Sequence, residues 1–269
     1  MIMKPHTNSK IISETDNGWL TIWFNSPENR NALSEGLIYD LKNLLSKTKT
    51  NRAIRGITLR GKEGFYCSGG DLKSFKNHQN NLDSKKFFIE ANKEIGCLFD
   101  LLLSMPQVII SYVEGAAIAG GLGLMCCSDL IVVKQDAKFS LTETMIGIAP
   151  AQIAPIVVAR VGLPIARRLM LTGARFKGLD TPKYNLSDFV VKNATDFEVL
   201  ENKLKKDILM CAPIANGVTK EILLKTPYMS REEQKNFAAE KFSDCVMSDE
   251  GKEGISSFFD KRKPSWVSI

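Results

Sequence analysis

The sequence predicts an α/β fold with much parallel strand pairing and a helical C-terminal region. Three observations carry this. Between residues 19 and 141, short apolar runs alternate with segments whose apolar residues recur at helical spacing. A glycine-rich turn, Gly115-Ala-Ala-Ile-Ala-Gly-Gly-Leu-Gly123, leads from one such run straight into a helical stretch. After Pro150 the strand signal shrinks to one weak piece, Phe189-Val-Val-Lys192, among helices.

The elements follow in order. The first twelve residues read as a lead-in without a role in the fold. Trp19-Leu-Thr-Ile-Trp-Phe24 alternates as a strand, with Leu20, Ile22 and Phe24 on one face. Asn25-Ser-Pro-Glu-Asn-Arg-Asn31 is a polar turn. Ser34 can cap a helix carrying Leu37, Ile38, Leu41, Leu44 and Leu45 on one stripe. Ile54 to Arg60 is a strand, and Gly61 to Asp71 is a loop. A long helix is expected from about Ser84 to Leu103, with Phe87, Phe88, Ala91, Ile95 and Leu98 keeping its period. Pro106 ends it before the strand Val108–Val113. After the glycine turn and its helix come strands at Leu130–Val133 and Phe139–Leu141, then helices from about 152 onward. The division this implies is an α/β core over 1–199 and a helical region over 200–269.

Composition narrows the class. The chain has 269 residues, enough for one large domain or a core with an appendage, and 44% apolar content can fill a sizeable core. The net charge of +6 is spread widely, with clusters at Lys203–Lys206 and Lys261–Lys263. A nucleic-acid surface concentrates such charge and interleaves aromatics, so a solvated basic surface or attraction of a phosphate-bearing small molecule fits better. Six cysteines form no C-x-x-C pair, and Cys126 and Cys127 read as small core residues. His6 and His78 are the only histidines and have no ligand-spaced neighbours, so no metal is expected. No signal peptide and no transmembrane span are expected, which points to a reduced, cytoplasmic protein.

Chemistry is carried by three places. Glycines let backbone amides approach a ligand, and a helix start adds N–H groups without partners, so the 115–123 turn can hold an oxyanion. It does not fit G-x-G-x-x-G, and Gly121 stands where a phosphate-binding loop needs lysine. The competing reading is tight strand–helix packing. The second turn, Cys67-Ser-Gly-Gly-Asp71, can present amides around Ser68 and Gly69, with Asp71 accepting from loop amides to hold it. Ser68 lacks the frame of an elbow nucleophile. Glu143 is the only charged residue from Phe139 to Val158, and a carboxylate among apolar groups has a raised pKa suited to proton exchange. A surface acid at a helix start remains the alternative.

Taken together, these segments resemble the crotonase superfamily, the enoyl-CoA hydratase/isomerase fold. The resemblance runs from about Trp19 to Trp266. It rests on Asn25-Ser-Pro-Glu-Asn-Arg-Asn-Ala-Leu33, Gly64-Phe-Tyr-Cys-Ser-Gly-Gly-Asp-Leu72, Val113 to Gly123, Asp129-Leu-Ile-Val132, Phe139-Ser-Leu-Thr-Glu143, Leu171-Thr-Gly173 and Glu253 to Trp266. It implies a ClpP/crotonase-like spiral of ββα units with a helical C-terminal trimerisation region, assembled as homotrimers or homohexamers. It implies an acyl-CoA substrate and no separate cofactor, coenzyme A being part of the substrate. By position, the oxyanion donors are the amides of Ser68 and Gly120, and the acid/base is Glu143. Asp71, Gly121 and Gly123 are structural near the site. Lys73, Phe242 and Lys261 are candidates for coenzyme A, with a solvent-exposed basic tail as the other reading of Lys261.

One departure bears on the reaction. The family's hydratases set a second glutamate where this chain has Gly123. The resemblance is nearest in look to bacterial hydratases of branched or carboxylated enoyl-CoAs, methylglutaconyl-CoA and its isohexenyl homologue among them. Arg160 is a candidate partner for a distal carboxylate. The leading expectation is therefore an enoyl-CoA hydratase adding water across a 2,3-double bond. The alternatives are a Δ3-Δ2-enoyl-CoA isomerase using the single glutamate, or a non-catalytic or RNA-binding homologue, which the pI of 8.9 leaves open.

Overall fold

In the computed structural model of the chain, residues 9–80 and 82–267 are described. His6 and the opening of the chain lie outside them. The strands are β1 (Ile11–Asp16), β2 (Trp19–Phe24), β3 (Gly56–Gly61), β4 (Val108–Val113), β5 (Ala116–Ile118), β6 (Leu130–Lys134), β7 (Lys138–Ser140), β8 (Arg175–Lys177) and β9 (Phe189–Val191). The helices are α1 (Glu35–Lys49), α2 (Leu72–His78), α3 (Ser84–Leu103), α4 (Gly120–Cys126), α5 (Ile153–Val161), α6 (Leu163–Leu171), α7 (Ala194–Met210), α8 (Pro213–Lys225), α9 (Arg231–Met247) and α10 (Asp249–Phe259).

Two sheets form. The larger has the order β1-β2-β3-β4-β6-β9, parallel throughout except for the β1–β2 hairpin. The smaller has the order β5-β7-β8, with β5 parallel and β8 antiparallel to β7. The chain leaves the large sheet for the small one after β4 and again after β6, returning at β6 and β9.

The pleat sorts the side chains. Leu20, Ile22, Phe24, Ile57, Leu59 and Ile109 face the main core, where the buried stripe of α1 and the apolar end of α3 meet them. The intervening positions, Trp19, Thr58, Ile110 and Tyr112, face α7. There Phe197 stacks on Tyr112 with ring centroids 3.6 Å apart. Trp19 donates to Thr58 at 2.9 Å, and Thr58 donates to Glu201 of α7 at 2.6 Å.

Two expectations need correction. Ile11 and Ile12 are not lead-in: they open β1, which pairs with β2 from Ile11↔Phe24 to Asp16↔Trp19. The strand escapes notice because five of its six side chains are exposed, which hides the apolar pattern. The division at 200 falls inside α7, and Phe197, Leu200, Leu204 and Ile208 pack this helix onto the large sheet. The separate helical part therefore starts near Pro213. It is clamped to the core by Lys220, which reaches Asp129 at 2.6 Å and the Gln107 carbonyl at 3.2 Å.

Candidate active site

Two backbone turns meet beside α4. Their contact is so close that side chains have no room. A Cβ on Gly121 would lie 2.2 Å from the Cys67 carbonyl oxygen. One on Gly120 would lie 3.0 Å from Leu33 Cδ1 and 3.7 Å from the Gly70 nitrogen. The glycines of both sequence turns are needed for this approach, as the packing reading expects.

Which amides are available follows from where the others are bonded. In the 67–71 turn, Cys67 N–H donates to the Ala116 carbonyl and Ser68 N–H to the Arg30 carbonyl, both at 3.1 Å. The Ser68 hydroxyl donates to the Asn29 carbonyl at 3.2 Å. Ser68 is therefore occupied, and its placement as an oxyanion donor is corrected. The Gly70 N–H, by contrast, has no acceptor among the described residues. The Gly69 carbonyl accepts from Leu33 N–H at 2.7 Å, and in a trans peptide this turns the Gly70 N–H the opposite way.

Gly120 is aimed by the same device. The Ala119 carbonyl accepts from Leu122 N–H at 2.9 Å and Gly123 N–H at 3.1 Å, so the Gly120 N–H points out of α4. The Gly70 and Gly120 amides are thus two donors without an acceptor among the described residues at this meeting point, as are those of Asp71 and Gly121 beside them. The polar turn at 25–31 braces the arrangement. Asn31 is fully buried, accepts from Ser26 N–H at 2.7 Å and donates to the Phe65 carbonyl at 2.6 Å. Arg30 and Asn31 both have left-handed φ, which presents the Arg30 carbonyl to Ser68. Asp71 caps α2 by accepting from Lys73 and Ser74 N–H at 3.2 Å each, as a structural carboxylate would.

Glu143 begins the 3₁₀ turn Glu143–Ile146, three residues after Ser140, whose carbonyl accepts from Ala119 N–H at 2.8 Å. The acid thus follows directly from the strand that anchors the start of α4. It is buried, and both carboxylate oxygens are enclosed without a hydrogen-bond partner. Burial raises its pKa above the ordinary carboxylate value, with only its own backbone acting in the other sense.

At the Gly123 position the structure has an apolar wall. A Cβ there would meet Ile153 at 3.0 Å and 3.1 Å and Phe99 at 3.3 Å. Arg160 is already committed to Asp188 at 2.6 Å and to the Asn185 carbonyl at 3.2 Å, so it is no candidate for a substrate carboxylate. Lys73 is exposed in the first turn of α2, next to the Gly70 turn. Phe242 is exposed on α9, and Lys261 is exposed in the turn that follows α10. Phe242 lines a separate pocket of about 310 Å3 with Ala212, Ile255 and Trp266. Among the described residues, no group of three or more His, Cys, Asp or Glu side chains is placed to hold a metal.

Sequence reasoning misses Gly70, Ala119, the Asn31 brace and the Ile153–Phe99 wall. Only the paired glycines at 69 and 70 gave a signal, and it did not say which amide is free.

The model of the enoyl-CoA hydratase/isomerase family matches residues 14–268. The structure superposes on AtuE of Pseudomonas aeruginosa with a TM-score of 0.92 and 36% identity, covering 96% of this chain and 100% of that one. An enoyl-CoA hydratase/isomerase from Marinobacter aquaeolei gives a TM-score of 0.91 and 33% identity, over 96% and 99% of the two chains. In sequence, a Bacillus subtilis protein named "Probable enoyl-CoA hydratase" is 28% identical over 237 residues, 88% of this chain and 90% of its own length.

Proposed function

Because the chain belongs to the enoyl-CoA hydratase/isomerase family, we propose that it hydrates a 2-enoyl-CoA, with the Gly70 and Gly120 amides holding the thioester oxygen and Glu143 moving the proton. The observation that carries the reading is a buried carboxylate without partners, on the segment that follows the strand bonded to Ala119 beside two amides without acceptors.

The chemistry balances with these groups alone. Water oxygen bonds to C3 as Glu143 takes one of its protons. The C2–C3 π electrons move onto the thioester, whose oxygen becomes enolate-like between the two amides. Protonated Glu143 then delivers the proton to C2, and the net change is addition of H and OH. The amides are fixed before charge develops, and one such donor is worth roughly 3 kcal/mol. A raised pKa keeps Glu143 near the balance between base and acid that both half-steps need.

Lys73, exposed beside the Gly70 turn, would meet a coenzyme A phosphate. Phe242 and Lys261 would serve the adenine end from a neighbouring subunit of a homotrimer or homohexamer. Exposed Phe242, Phe258 and Phe259 on α9 and α10 favour such self-association. We assign no separate cofactor, a branched or carboxylated acyl group, and a cytoplasmic location. Among the described residues, no helix is long and apolar enough to cross a membrane.

A second reading, Δ3-Δ2-enoyl-CoA isomerisation, is favoured by the apolar wall at Gly123, because a single carboxylate suffices to move a proton between C4 and C2. One panel separates the two. Wild type and Glu143→Gln are assayed with straight, branched and carboxylated 2-enoyl-CoAs for loss of conjugated-thioester absorbance, and with 3-enoyl-CoAs for its appearance. Hydration predicts loss that requires Glu143. No loss on any 2-enoyl thioester, with conjugation appearing from a 3-enoyl one, establishes the isomerase instead.

A further inference from the structure

Ala119 has φ 53° and ψ −122°, a region that side-chain-bearing residues rarely enter. It is locked there from both sides. Its N–H donates to Ser140 of β7, and its carbonyl is held by the first turn of α4. Its methyl faces the other turn: a Cβ on Gly69 would lie 2.9 Å from Ala119 Cβ and 3.2 Å from the Gly120 nitrogen. Gly69, also left-handed with φ 92°, sits between Ser68 and Gly70. The Ala119 methyl therefore sits where the two donor-bearing turns meet, and it belongs to a residue with a strained backbone. Glycine would adopt these angles without penalty. An alanine here lowers stability and leaves a spacer.

We propose that Ala119 is a positioning residue whose methyl, wedged against Gly69, sets the separation of the Gly70 and Gly120 amides and hence how strongly they polarise the thioester carbonyl. This rests on the reading that both amides hold that oxygen. The residue touches no reacting atom and acts only through the two turns.

The test uses an aryl-acryloyl-CoA, whose absorption moves to the red when its carbonyl is polarised, together with steady-state kinetics and thermal melting. Wild type is expected to give the red shift on binding. If it gives none, the amide-pair reading itself fails. Ala119→Gly relieves the backbone and removes the spacer. It should melt at or above the wild-type temperature and bind the probe within about threefold, yet lose roughly half or more of the red shift and about tenfold in kcat, since small misplacements of preorganised groups are costly. Ala119→Ser keeps Cβ and should retain the red shift, with kcat within about threefold. Ala119→Gly with an unchanged red shift and kcat overturns the proposal while leaving the amide pair standing. Equal losses in the glycine and serine variants, or a lower melting temperature for glycine, also overturn it.

Discussion

Replacing Glu143 by glutamine should move activity and stability in opposite directions. The side chain is 8% exposed and neither oxygen has a partner. A positioned acid/base group contributes about 10²–10⁴-fold, or roughly 3–5 kcal/mol at about 1.4 kcal/mol per decade. Glutamine keeps the shape and removes the base, so kcat should fall about a thousandfold with little change in KM. Stability should respond the other way. Burial raises the folded-state pKa of Glu143 above its ordinary value, so the folded chain binds this proton more tightly than the unfolded chain. Its contribution is most favourable in acid and is lost as pH rises through the raised pKa. At neutral pH the ionised group is a burden that a neutral amide lacks. The variant should therefore melt above wild type at pH 7–8, and the gap should close as the pH falls toward the ordinary carboxylate range. Scanning calorimetry can read this, because 1 kcal/mol corresponds to about 2–4 °C in domains near this size. For wild type, kcat/KM should drop on the acid side at a pH above that of an exposed carboxylate. A kcat within threefold of wild type, or a variant that melts lower at neutral pH, would refute the reasoning.

Other perturbations probe the frame. Gly70→Pro removes the free N–H and should lower kcat/KM by at least about 100-fold, whereas Ser68→Ala keeps every backbone donor and should stay within about threefold, in the same steady-state assay. Gly121→Ala drives a methyl into the Cys67 carbonyl and should cost about 3 kcal/mol or more in urea unfolding, because backbone cannot move aside. Gly123→Ala meets only side chains, and the better helix propensity of alanine offsets the crowding, so its cost should stay below about 1 kcal/mol. Phe197→Ala empties the stack on Tyr112 and should cost about 3–5 kcal/mol while the folded fraction keeps its kcat, since this contact lies on the sheet face away from the two turns.

How much was legible depends on whether a feature is written in local pattern or in distant acceptors. The α3 helix is predicted from Ser84 to Leu103 and found there, because its apolar period and the following Pro106 are both local. Strands β2 and β4 are equally plain. Glu143 shows itself by the absence of other charge around it, and the structure encloses it. The choice between Ser68 and Gly70 is not local. It depends on Arg30 presenting a carbonyl through a left-handed turn far upstream, which one sequence does not announce. The domain division errs for a related reason: α7 reads as one more helix, and only its contacts, the stack of Phe197 on Tyr112 and the Thr58–Glu201 bond among them, show that it belongs to the sheet.

The donors at the meeting of the two turns are main-chain nitrogens, aimed by carbonyls bonded on the far side of the same peptides. An alanine scan would pass over half of this machinery, since truncating side chains leaves every amide in place. On the proposed function, drift in the surrounding walls can likewise change which acyl groups fit without disturbing the two amides. A chain of this kind can explore new substrates while its hardest chemical requirement stays out of reach of most point mutations.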